Sequence, residues 1–187
     1  MKTAFKEWAA ICRALGQGRQ IVILRKGGIV EPGGAFRVEH DEFLLFPTYL
    51  HQSADSLVPA ARHFLEEAQA EMPRAGEITF RHFAAVTDNV LIQSPEALKR
   101  LRDYHVWSEA VVEERFHRWQ TSLHVLVVRV YALPQPATVP MDDDYAGCKS
   151  WVELKEHVSV EGAKPVASDE DYQRRADEIL SVFQGSQ

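Results

Sequence analysis

The chain has 187 residues, 45% hydrophobic and 26% charged, proportions that suit one globular domain spanning 1–187 and exclude global disorder. Its formal charge of −6 excludes a general attraction for phosphate backbones, so any nucleic-acid contact needs a local basic patch. No stretch approaches the roughly 20 apolar residues that span a bilayer, the first residues lack a signal-peptide pattern, and neither Cys12 nor Cys148 calls for a bridge, so a cytoplasmic protein with reduced thiols is expected.

In chain order, Phe5, Trp8, Cys12 and Leu15 recur at spacings of three and four, which predicts a helix ended by Gly16 and Gly18. Ile21-Val22-Ile23-Leu24 is apolar on both faces and β-branched, as an interior strand is. Arg25-Lys26-Gly27-Gly28 follows, then a hairpin: strand Ile29–Glu31, turn Pro32–Gly34, strand Phe36–Val38. Phe43-Leu44-Leu45-Phe46 is a buried strand expected to stop near Pro47, which has no N–H for a ladder. A helix begins near Pro59 and ends before Pro73.

Ile78 to Ile92 reads as a strand with Ile78, Phe80, Ala84 and Val86 on one face. Ser94-Pro95 caps one helix, and Ser108 caps another carrying Arg115 and Phe116. Leu123 to Leu133 is the longest strand, followed by a loop marked by Pro134, Pro136 and Pro140 and by an exposed acidic run, Asp142-Asp143-Asp144. Trp151 to Leu154 forms a last strand, and Ser168 to Asp171 opens a final helix with Tyr172, Ala176, Ile179 and Phe183 on its stripe. Strands and helices do not alternate strictly, so the fold class is α+β, a mixed, mainly antiparallel sheet with flanking helices.

Several residues carry candidate chemistry. Arg25 and Lys26 before two glycines could hold a phosphate, although the order is not that of a P-loop, and a tight turn with solvated charges is the commoner outcome for such a pattern. His51, Gln52 and His105 adjoin apolar segments, where a histidine is acid, base, ligand or simply a hydrogen-bonded structural group. Arg129 lies within the longest strand and must be paired or reach a cavity, with Glu31 and Glu77 as possible partners. Arg115 invites the same readings. Glu153-Leu154-Lys155, with Asp142 to Asp144 upstream, has the spacing of metal-dependent nucleases, a short match that arises often by chance. No spacing suggests a structural zinc site, and the sequence leaves any cofactor unknown. Trp8, Trp107, Trp119 and Trp151 offer rings for stacking bases, with Trp8 expected in the core, Trp107 as a staple beside Ser108, and Trp151 part-exposed.

A set of blocks resembles a bacterial family catalogued as domain of unknown function 1802. They are Arg25 to Ile29 with Glu31, Phe43 to Thr48 with His51-Gln52, His105 with Trp107-Ser108, Arg115-Phe116, Arg129 to Tyr131 with Leu133 and Pro136, and Gly147-Cys148 with Ser150 to Val152 and Leu154. The resemblance covers nearly the whole chain. It implies no established activity and no catalytic residues; the fusion of some members to restriction-endonuclease domains implies a setting near DNA restriction. The expected function is an accessory module binding nucleic acid or nucleotide through Arg25, Lys26, Glu31, His51, Gln52, His105, Arg115 and Arg129, with a restriction-type nuclease as a possible partner. A metal-dependent phosphodiesterase or nuclease and a protein-interaction module are the alternatives.

Overall fold

The computed structural model describes residues 1–26, 38–118 and 121–184. The expected hairpin around Glu31, and Trp119, lie outside the described residues. Within them the elements are β1 (Thr3–Trp8), α1 (Ala9–Gly16), β2 (Val22–Arg25), β3 (Glu42–Thr48), α2 (His63–Ala70), β4 (Glu77–Ile92), α3 (Pro95–Arg100), α4 (Glu109–His117), β5 (Leu123–Pro140), β6 (Trp151–Glu153), β7 (Lys164–Pro165) and α5 (Asp169–Gln184). The strands form one mixed sheet in the order β2-β5-β4-β3-β1-β6, with β7 on β5. Only the β1–β3 pairing is parallel; the others are antiparallel, which is the α+β class expected.

The N-terminus departs from expectation. Phe5 and Trp8 are not on a helix: residues 3–8 form a strand between β3 and β6, and the helix starts at Ala9. A helical spacing of three and four also fits a strand followed directly by a helix, and pairing on both sides decides the outcome. Strand alternation then puts Glu7 on the face of Phe5.

The strand at 42–48 runs through Pro47 instead of stopping there. β4 pairs only with its first three positions, Glu42 to Leu44, so no antiparallel ladder asks Pro47 for an N–H. The prolines after Leu133 likewise do not form a loop. β5 continues to Pro140, and its pairing with β4 skips from Ala132 to Ala137, so Pro134 and Pro136 sit where no ladder bond is required. In β4 a register shift between Phe80 and His82 overrides simple alternation, so Phe83, and not Ala84, joins Ile78 and Phe80.

Two apolar clusters flank the sheet. The larger holds Phe5, Phe43, Leu45, Trp107, Phe116 and the inner β2 and β5 residues, closed by Tyr172, Ala176 and Ile179 of α5. The smaller holds Ala4, Leu44, Phe46, Ile78, Phe80, Phe83 and Tyr145. The final helix is capped as expected, Asp171 N–H donating to Ser168 Oγ at 3.2 Å. No helix among the described residues is long and apolar enough to cross a membrane.

α1 packs so closely on β4 that a methyl group at Gly16 would lie 2.2 Å from the His82 ring. Alanine ordinarily stabilises a helix by about 0.5–1 kcal/mol over glycine; here overpacking reverses the sign. Gly16→Ala is expected to lose about 1–3 kcal/mol in urea unfolding, and His82→Ala in the same chain should restore part of it. A net gain for Gly16→Ala would show that the contact yields freely.

Candidate functional site

Glu7 is 3% exposed, the only buried carboxylate among the described residues. Its Oε1 accepts the backbone N–H of Trp8 at 2.8 Å, while Oε2 faces the Arg25 guanidinium at 3.6 Å and accepts no hydrogen bond. β2 delivers Arg25 to the same face, where the guanidinium lies 4.3 Å over the Phe5 ring and also donates to the Lys6 carbonyl. Thr48 Oγ1 and Cys12 Sγ both donate to the Glu7 carbonyl, tying β3 and α1 to this point.

α4 brings a second cation. Arg115 lies 3.9 Å over the Trp107 ring, and Trp107 meets Trp8 edge to face at 4.8 Å. Burial pulls the Arg115 pKa down to about 10, Glu7 pulls it up and Arg25 down, so the guanidinium stays charged at neutral pH. Gln52 reaches in from the segment after β3, its Oε1 accepting the Ala10 N–H at 2.9 Å. Two guanidinium groups against one carboxylate make this locus cationic within an acidic chain.

The distinctive property of the site is what it leaves unpaired. Glu7 Oε2, Arg25 Nε, Gln52 Nε2, Trp107 Nε1, Ser108 Oγ and His105 Nδ1 are all buried and have no hydrogen-bond partner. Each such group costs about 1–3 kcal/mol, and folds leave few of them without a partner. Gln20, equally buried nearby, makes the contrast: its amide donates to Val22 O and accepts from Val106 N–H, so both ends are satisfied.

Of the residues expected from sequence, Arg25, Gln52 and Arg115 converge here, and His105 lies close enough for Arg115 to depress its protonation. Lys26 follows Arg25 in the chain, its ammonium donating to the carbonyls of Phe116 near the end of α4 and of Ser122 just before β5. His51 is exposed in a left-handed turn at φ 61°. Arg129 does not join the cluster. Arg25 pairs in register with His124, five positions from Arg129 along an unbulged stretch of β5, so the two arginines leave opposite faces of the sheet. Arg129 pairs with Asp169 and packs on Tyr172 of α5; Asp169 therefore takes the place expected for Glu77. Glu31 lies outside the described residues.

Other expectations resolve locally. The Ser108 hydroxyl makes no capping bond, although the helix starts beside it. Trp151 is part-exposed as expected, wedged against Phe5, Phe43 and His40. Trp8 is also part-exposed, not core. Lys155 leaves the strand after Glu153 and pairs with Asp142 at 2.6 Å and Asp144 at 3.3 Å, which occupies the acidic run with a cation. No group of three or more potential metal ligands converges among the described residues.

Sequence reasoning missed Glu7 as a buried carboxylate facing Arg25. The signal was present in Phe5-Lys6-Glu7: read with strand alternation, it puts a carboxylate beside a core phenylalanine.

The family model described as "Domain of unknown function (DUF1802)" matches residues 4–178. Among solved structures, a single-substitution mutant of ASCH from Zymomonas mobilis aligns with a TM-score of 0.50 and 12% identity over 94% of each chain. The unsubstituted Zymomonas mobilis ASCH aligns with a TM-score of 0.49 and 13% identity over 94% of this chain and 93% of that one. At 12% identity the likeness to the substituted protein is one of fold alone. No curated protein matches the sequence.

Proposed function

The chain belongs to the domain of unknown function 1802 family, and from its buried polar cluster we propose that it binds single-stranded nucleic acid or a free nucleotide. The observation that carries this reading is the unpaired trio Glu7 Oε2, Arg25 Nε and Gln52 Nε2 at the start of α1. They form a mixed donor and acceptor array beside a part-exposed indole, which is what recognition of a base requires. Trp8 supplies the ring for stacking, worth about 1–3 kcal/mol per base. Glu7 Oε2 accepts from a base N–H, as carboxylates do from amino-bearing edges. Gln52 Nε2 and Arg25 Nε donate to ring nitrogens or carbonyls, and Arg115 faces the negative charge of a phosphate. A likeness of fold to the ASCH structures is compatible with this reading and adds no residue to it. The restriction setting belongs to the same proposal: the module would hold a strand for a partner nuclease.

The test is fluorescence anisotropy with labelled single-stranded DNA and RNA, beside calorimetry with the four nucleoside triphosphates. Binding is expected, and Glu7→Gln should weaken it about tenfold or more, the loss of one charge-assisted hydrogen bond. With one cationic contact to a phosphate, log K should fall with log salt at a slope of about −0.7. An absence of binding to every probe, or an unchanged affinity in Glu7→Gln, refutes the reading.

A further inference from the structure

A cleft of about 40 Å³, open to solvent, lies where α1 and α2 meet the sheet. Arg13 of α1, Glu71 at the end of α2, Tyr49 after β3, and Arg81 and His82 of β4 line it. One water takes about 10–15 Å³ on this scale, so the cleft has room for about three. That suits the free oxygens of one phosphate group and is too small for a base or a sugar.

Two guanidinium groups meet here on one carboxylate. Arg81 donates to Glu71 Oε2 at 2.9 Å, Arg13 donates to Glu71 Oε1, and Arg13 also reaches Glu67 at 3.1 Å. Burial and then the two arginines hold the His82 pKa down at about 4, so that ring adds no charge at neutral pH. Burial raises the Tyr49 pKa, and both arginines oppose the rise, which places them near its hydroxyl as well. Glu71 itself is a poorly placed resident. It caps the C-terminus of α2, where the helix dipole disfavours negative charge. Its side chain is 40% exposed and that of Arg81 36%, and ion pairs as open as this contribute little to stability. A carboxylate offers the two arginines one charge and two oxygens. A terminal phosphate offers a charge of about −1.5 to −2 and three oxygens, in the geometry that guanidinium forks match. With Glu71 turned out to solvent, two cations face the cleft against one remaining anion, Glu67.

We propose that Arg13 and Arg81 form a binding site for a terminal phosphate, which Glu71 occupies as an internal competitor in the free protein. The phosphate oxygens replace those of Glu71 on the two guanidiniums, with a third towards the Tyr49 hydroxyl. The body of an organic phosphate extends out of the cleft. Neither arginine belongs to the trio of Glu7, Arg25 and Gln52, so this site does not rest on the nucleic-acid reading.

The experiment titrates the full chain with inorganic phosphate, a nucleoside 5′-monophosphate, the parent nucleoside, dimethyl phosphate and acetate. Calorimetry follows the heat, and NMR follows the His82 ring protons. Phosphate and the monophosphate should each saturate one site and shift the His82 resonances. A tighter monophosphate identifies an organic phosphate as the natural ligand, and equal affinities identify free phosphate. Dimethyl phosphate and acetate, with one charge and two free oxygens each, should bind at least about tenfold more weakly, about 1.4 kcal/mol. The nucleoside should leave His82 unmoved, which separates this site from the Glu7 cluster. Glu71→Gln should raise phosphate affinity about fivefold or more, while Glu66→Gln, the same charge change at an exposed position of α2, should leave it unchanged. Arg81→Gln should abolish binding, with thermal melting to confirm the fold; if it does not fold, the comparison of the two glutamate variants decides alone. Failure of phosphate to saturate Glu71→Gln overturns the proposal. So does an affinity that Glu71→Gln leaves unchanged, or one that Glu66→Gln raises as much.

Discussion

Arg25→Ala is expected to lower the unfolding free energy by about 3–5 kcal/mol, the range for removing one partner of a buried ion pair. Glu7 carries its carboxylate at 1% side-chain exposure, and Arg25 is the cation within 4 Å of it. Removing the guanidinium strands that charge in a poorly solvated place and also removes the cover from the Phe5 ring and the donor to the Lys6 carbonyl. Arg115 continues to favour the carboxylate from farther away, which keeps the loss within this range. Glu7→Gln should cost less, because a neutral amide is cheaper to bury than an unpaired charge. In the double variant the losses should not add: the coupling expected for contacting charges is about 0.5–3 kcal/mol. Urea unfolding of the four proteins at one pH completes the cycle. Additive losses would mean that the pair is not coupled, and would remove the physical basis of the site as well as of this prediction.

The same residues show why parts of the molecule are legible in sequence and others are not. β5 is legible because the run Val125 to Val128 is apolar on both faces, and such runs have few alternatives. Their ends are illegible, since proline forbids only an N–H bond and not an extended backbone. Where the register leaves a position unpaired, as at Pro134 and Pro136, the strand continues. The β1–α1 junction is illegible for a different reason. Phe5 to Leu15 satisfies helical periodicity across a boundary that only the flanking strands β3 and β6 impose. That boundary carries the site: reading residues 3–8 as helix hides Glu7 on a side face, while reading them as strand places it beside Phe5. Arg25, Gln52 and Arg115 are recognisable by type, but their convergence depends on contacts spanning about the whole sheet. Arg129 shows the converse. By type it matches Arg25, yet an odd spacing on one strand sends it to α5.

Acid should unfold this protein through its histidines before its carboxylates become the main factor. His82 and His105 each have a pKa lowered from 6.5 to about 4, in both cases chiefly by burial; Arg13 and Arg81 add to the effect at His82, and Arg115 at His105. In the unfolded chain both rings take up protons as pH falls through about 6.5. In the folded chain they stay neutral until about 4. Between those values the unfolded state binds more protons, so stability rises with pH and is lost as pH falls. The contribution is fully present above about pH 6.5, and the loss levels off below about pH 4, at about 3 kcal/mol for each ring, since one pKa unit is about 1.4 kcal/mol. Together the two rings therefore remove about 6 kcal/mol, comparable with the whole stability of a small domain. The surroundings agree with a neutral ring: His82 lies against Gly16 of α1, and at His105 burial outweighs the hydrogen bond to the Trp107 backbone and the nearby Asp103, which both favour the charged form. Urea unfolding at several pH values between 7 and 4 measures the effect. His82→Asn and His105→Asn, each unable to titrate there, should each reduce the slope of stability against pH by about half, and the double variant should be nearly flat apart from the carboxylates. Curves for the natural chain and both variants that run parallel through this window would show that neither ring resists protonation.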